Sequence, residues 1–242
     1  MVEDNPQQLE PKDGFIALFL SALFIFTYAY FELNEWSPFL FEFFCIFLPS
    51  LIVLSFKGRF KTIFNPLIFK KKEIKLSLLT FLFATLLGFS SGNLINIIFD
   101  ISKTIEELEK NILRFSFLKQ VLFFAIFPAL FEEILFRGII LQSLSKIGKK
   151  FSFFLTSVLF ALYHGSLELF IPIFILSLFL TAIAFFRAGL TLSILFHFIF
   201  NFLNLISLNY LKFEIGFFAS IFIVIVSFPF FIYSILKVLK NA

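Results

Sequence analysis

FLKQVLFFAIFPALFEEILFRGIIL, residues 117–141, is an apolar run long enough to cross a bilayer, yet it carries Glu132, Glu133 and Arg137 deep within it. A membrane span needs about 20 apolar residues, and each ionisable group inside one costs at least about 2.5–3.5 kcal/mol. The stretch therefore asks two questions at once, how many such runs the chain has and why this one tolerates charge. Composition answers the first in outline. Of 242 residues, 60% are hydrophobic, 21% aromatic and 15% charged, against about 45–50% apolar and about 25% charged in soluble domains. The single cysteine, Cys45, excludes a disulfide framework and any multi-cysteine metal site.

Seven further runs flank this one, at about Gly14–Phe31, Phe39–Phe56, Leu76–Phe99, Phe151–His164, Leu169–Phe186, Leu190–Leu211 and Gly216–Leu239. The expected fold is all-α, a polytopic membrane protein of about eight transmembrane helices. Residues 1–13 form a polar tail whose four acids and one Lys lack the basic start of a signal peptide. Residues 14–242 form a single transmembrane domain. Lys103–Phe115, with Ile105, Leu108 and Ile112 at helical spacing, reads as an amphipathic connector on the outer surface.

Cytoplasmic loops collect Lys and Arg. Between the second and third runs lie Lys57, Arg59, Lys61, Lys70, Lys71, Lys72 and Lys75; between the fourth and fifth, Lys146, Lys149 and Lys150; between the sixth and seventh, Arg187. Lys237 and Lys240 follow at the C-terminus. In the alternate loops, Lys103, Lys110, Arg114 and Lys119 are offset by Asp100, Glu106, Glu107 and Glu109, and Lys212 stands alone. Both termini are thus expected in the cytoplasm. The formal charge of +4 belongs to these inner loops, so it points to orientation in a bilayer and not to nucleic acid.

The ionisable groups left inside the apolar layer are Glu132, Glu133, Arg137, His164 and His197. Glu42 lies near the outer end of its run and is expected to snorkel toward the surface. On a helix, Glu133 and Arg137 are neighbours four residues apart, in the favourable order. Glu132 is turned about 100° from Glu133, which leaves it unneutralised and free for proton transfer. Pro128 removes a backbone bond to the Phe124 carbonyl and favours a kink beside these residues. Asn201 follows His197 by one turn on the same face, and His164 follows Phe160 by one turn. Glu132 lies fourteen residues before Lys146, His164 fourteen after Lys150 and His197 ten after Arg187. Those separations correspond to about 21, 21 and 15 Å from the inner face, so three spans hold their ionisable groups at similar depth.

Glu132-Glu133-x-x-x-Arg137, Phe160-x-x-x-His164 and His197-x-x-x-Asn201, in that order on successive spans, resemble the type II CAAX prenyl endopeptidase and bacteriocin-processing (CPBP, or Abi) family of intramembrane proteases. The resemblance covers about residues 117–211. It implies that Glu132, with His164, activates a water to attack a peptide carbonyl, and that His197 and Asn201 donate hydrogen bonds to the oxyanion. Glu133, Arg137 and Phe160 then support the site from behind. The family has been described as metalloproteases, so zinc held by Glu132, His164 and His197 stands beside a metal-free, glutamate-activated water; the latter is favoured here because such a water needs no metal. The implied partner is a membrane-anchored, prenylated or otherwise hydrophobic peptide. The implied location is the plasma membrane of a bacterium, or the endoplasmic reticulum in a eukaryote.

Other chemistries read less well. No His-Glu-x-x-His motif occurs and no Asp lies deep in a span, which argues against a zincin and a paired-aspartate protease. Gly88-Phe-Ser-Ser-Gly92 matches a Gly-x-Ser-x-Gly pattern around Ser90, but small residues at that spacing also serve helix packing. Asn93 and Asn96 are expected to bond between helices or to line a cavity. A proton-coupled transporter would use buried carboxylates and His as a relay, yet the chain shows no internal repeat. A silent member that binds a membrane partner, such as an immunity factor, is the remaining alternative.

Overall fold

Backbone amides inside lipid find no water, so a membrane chain closes its hydrogen bonds within helices or a barrel. In the computed structural model, which describes residues 8–28, 37–58, 71–167, 169–185, 189–211 and 215–241, the chain takes the first course, and no strand occurs among these residues. The helices are α1 (Pro11–Tyr28), α2 (Ser37–Phe56), α3 (Lys71–Phe99), α4 (Ser102–Leu113), α5 (117–144), α6 (Lys149–Tyr163), α7 (Phe170–Phe185), α8 (Gly189–Leu211) and α9 (Phe217–Asn241). This is an all-α membrane protein. Five stretches among the described residues are long and apolar enough to cross a bilayer: Pro11–Tyr28, Ser37–Phe56, Lys75–Phe99, Gly189–Leu211 and Phe217–Lys237. The remaining three of the expected crossings are α5, interrupted by charge, and the shorter α6 and α7.

Of the cations expected in inner loops, Arg59, Lys61, Lys70 and Arg187 lie outside the described residues, as do Lys212 and Glu168. Lys57 is described, and its ammonium lies 3.0 Å from the buried carboxylate of Asp13. That pair ties the end of α2 to the start of α1 and sets the two helices antiparallel. The connector expected at Lys103–Phe115 is α4, with an exposed Glu106–Lys110 pair one turn apart.

Two apolar clusters organise the bundle. In the first, Ala17 of α1 and Cys45, Ile46 and Leu54 of α2 meet Phe131, Leu135, Phe136 and Ile139 of α5 and Phe160 of α6. In the second, Ala84 and Leu87 of α3 meet Phe179, Leu180 and Ile183 of α7, Phe196 of α8 and Phe231 of α9. Close approach of α1 to α5 depends on Gly14, where an added Cβ would stand 3.3 Å from Ser143 Cβ and 3.6 Å from Ile140 Cα. Gly88 and Gly92 lie against Pro172 of α7, the packing use of that motif; neither histidine bonds Ser90. Asn93 donates to the Ile215 carbonyl at 2.6 Å and to Ser220 at 2.8 Å, bonding α3 to the α9 end of the bundle as expected.

The α5 helix departs from regular geometry. Its hydrogen bonds widen to the π pattern over Leu122–Ile126, just before Pro128, and again over Ile134–Ile140. Proline supplies no N–H and removes one rung of the ladder. Glu132 and Glu133 therefore sit on a short α-helical segment between two π stretches, a backbone feature that recurs at functional sites.

Candidate active site

Four helices bring the polar residues together. The spacing of four along α5 delivers the expected pair, with Arg137 Nη1 donating to Glu133 Oε1 at 2.7 Å, both side chains fully buried. Arg137 Nη2 donates to the Ser177 hydroxyl at 2.7 Å and to its carbonyl at 3.2 Å. The guanidinium carbon lies 4.3 Å from the centre of the Phe160 ring, within cation–π range. Phe160 thus holds Arg137 from one side while α7 holds it from the other.

Glu133 has three donors. Besides Arg137, His197 Nδ1 reaches Oε1 at 3.0 Å and Ser193 Oγ donates to Oε2. A carboxylate bonded to Arg only accepts, so the proton shared with His197 sits on Nδ1, and Nε2 is the nitrogen left to face the site. Ser193 lies one turn before His197 on α8. Neither Ser177 nor Ser193 was identified from sequence.

His164 is placed by the way α6 ends. It forms the C-cap, and Gly165 adopts φ +67°, the left-handed conformation that glycine takes without penalty. His164 Nδ1 lies 2.9 Å from the Phe160 carbonyl. A carbonyl only accepts, so Nδ1 donates and the neutral ring presents an acceptor at Nε2. About 30% of this side chain is exposed, against 8% for Glu132 and 3% for His197, so the group opens beside His164.

Glu132 is where these constraints converge. Its Oε2 lies 4.0 Å from His164 Nε2 and 3.9 Å from His197 Nε2, and this buried atom has no hydrogen-bond partner. Both separations are too long for direct hydrogen bonds, and contacts of that length are commonly bridged by water. Among the described residues no three His, Cys, Asp or Glu groups are gathered tightly enough to hold a metal ion. Zinc would need donors at about 2.0–2.2 Å from one point. Asn201, one turn beyond His197, is half-buried.

Glu42 departs from expectation. It is 8% exposed, not snorkelled, and its Oε2 is buried without a partner. Fifteen residues separate it from Lys57, about 22 Å along a helix axis, close to the separation of Glu132 from Lys146. That comparison was the sequence signal for it.

Residues 114–203, which include every residue of the cluster except Glu42, match the family described as Rce1-like, type II CAAX prenyl endopeptidase. No curated protein and no solved structure matches the chain.

Proposed function

Because residues 114–203 form a domain of the Rce1-like type II CAAX prenyl endopeptidase family, we propose that this integral membrane protein hydrolyses a peptide bond near the end of a membrane-anchored or prenylated peptide, using Glu132 and His164 to activate water. The observation that carries this reading is the unpartnered Glu132 oxygen facing two imidazole Nε2 atoms at 4.0 and 3.9 Å. A water lodged there gives one hydrogen bond to Glu132 Oε2 and one to His164 Nε2, which aims its lone pair at the substrate. As the water oxygen bonds to the scissile carbonyl carbon, its proton passes to Glu132 and the carbonyl electrons move to oxygen. The oxyanion is met by the Asn201 amide and by His197 Nε2–H, on a ring that takes its second proton from solvent before the attack and keeps it throughout, with Glu133 behind Nδ1. Collapse breaks the C–N bond, and Glu132 returns the proton to the leaving amine.

Glu133, Arg137, Ser177 and Ser193 touch no substrate in this scheme. They fix the orientation of His197, which lets the donor meet charge at the moment it forms, a contribution of about 2.7–4 kcal/mol per donor in other proteases. The site is read as lying among α5, α6 and α8 and opening toward the cytoplasm, with eight crossings and both termini on that side. A bacterial plasma membrane is the proposed location.

The test is cleavage of a farnesylated CAAX-type peptide by the purified protein in proteoliposomes, followed by mass spectrometry. Cleavage is expected to persist after exhaustive treatment with a zinc chelator. Stoichiometric zinc in active protein, with activity lost on its removal and restored on its return, would contradict the metal-free scheme. A proton-coupled transporter would return the peptide intact.

A further inference from the structure

The hydrolytic scheme leaves one buried acid of the site unused. Glu42 lies on the π-helical stretch Glu42–Phe47 of α2, which packs along 127–133 of α5. The rings of Phe43 and Phe47 rest on Phe131 at 6.4 and 4.5 Å, which sets the start of α2 against the segment that carries Glu132. Glu132 is faced by His164 on α6 and His197 on α8, while α2, which carries Glu42, packs along the same segment of α5.

A buried carboxyl oxygen without a donor costs stability, so its retention needs a use. The hydroxyls nearby are already engaged. Ser21 donates to the Cys45 carbonyl and shares a 2.7 Å hydrogen bond with Tyr163, whose hydroxyl also reaches that carbonyl at 3.4 Å. A peptide entering the apolar layer brings backbone N–H groups that must find acceptors there. The groups assigned to the oxyanion, His197 and Asn201, are donors, and Glu132 is committed to the water. In these assigned roles none of the three accepts from the substrate's own N–H.

We propose that Glu42 Oε2 accepts a hydrogen bond from a backbone N–H of the bound peptide next to the scissile bond. The assignment rests on the hydrolytic reading above and adds to it a residue that binds substrate from outside residues 114–203.

The test compares wild type, Glu42→Gln and Glu42→Leu on a quenched-fluorescence farnesylated peptide in proteoliposomes, together with a series of probes each N-methylated at one amide. Glu42→Leu is expected to raise KM about tenfold, the loss of one hydrogen bond to a buried carboxyl oxygen, with kcat within about twofold. Glu42→Gln keeps an acceptor oxygen and is expected to restore KM. One N-methylated probe is expected to raise KM for wild type and to add nothing further in Glu42→Leu. Wild-type KM in Glu42→Leu, equal defects in the Leu and Gln variants, or an N-methyl effect undiminished in Glu42→Leu at every position would each overturn the assignment while leaving hydrolysis standing. A wild-type protein that cuts no probe would overturn the hydrolytic reading, and this assignment with it.

Discussion

Glu132→Gln is expected to lower the turnover of a farnesylated peptide by about a thousandfold or more while leaving thermal stability equal to or above that of wild type. General-base transfer contributes about 10²–10⁴-fold, and the Gln amide preserves shape but accepts no proton. Stability moves the other way because the wild-type Oε2 is buried without a partner; a neutral amide in that place relieves the burial of charge. His164→Ala is expected to lose about a hundredfold or more, since the water loses its second anchor. It too should remain folded, because that side chain is about 30% exposed and its close contacts are with the carbonyl and ring of Phe160 on its own helix. Activity falling without stability is the pattern of a site residue, whereas a packing role predicts that both fall together. Detergent-phase thermal unfolding and initial rates on the same preparations check the pair of outcomes.

Arg137→Leu is expected to destabilise the fold by about 3–5 kcal/mol, the cost of breaking a buried ion pair from one side. The reason lies in what the guanidinium holds. It bonds Glu133, both polar groups of Ser177 and the face of Phe160, so its loss strands a carboxylate in the interior of the bundle. Arg137→Lys repairs little, because one ammonium cannot present the two-armed fork that spans α5 and α7. The double variant Glu133→Gln with Arg137→Met is expected to recover most of the stability, as removing both charges of a buried pair together leaves neither stranded. It is not expected to recover activity, since His197 Nδ1 loses the carboxylate that orients it. Chemical denaturation in micelles reads the first effect and peptide turnover the second. An Arg137→Leu variant with wild-type values for both would contradict the role assigned to the pair.

Much of this arrangement follows from the chain's composition because lipid is a strict solvent. The boundaries of α3, α8 and α9 fall within a few residues of the apolar runs, since nothing else in a bilayer satisfies the backbone. The Glu133–Arg137 pair follows from helical spacing alone, and counting residues from the nearest loop cations puts Glu132, His164 and His197 at similar heights, while the packing of α5, α6 and α8 brings them together. The serines did not stand out. Ser177 and Ser193 look like ordinary small residues of packed membrane helices, and only the crossing of α7 and α8 behind α5 gives them Arg137 and Glu133 as partners. Glu42 lies near one end of its apolar run, which suggests a snorkelling acid, whereas the fifteen residues to Lys57 match the fourteen between Glu132 and Lys146 and point to a buried one. The π stretches of α5 had only Pro128 as a local sign; the second, over Ile134–Ile140, has no proline and depends on what packs around it.

The central claim is that a water activated by Glu132 cuts a peptide bond inside the membrane. Its most direct measurement is cleavage of a farnesylated peptide in heavy-oxygen water under single-turnover conditions, with mass spectrometry of both fragments. The expected result is one heavy oxygen in the new carboxylate of the wild-type product, none in the amine fragment, and no product from Glu132→Gln in the same interval. Intact peptide from the wild type, or labelled product at an undiminished rate from Glu132→Gln, would contradict it.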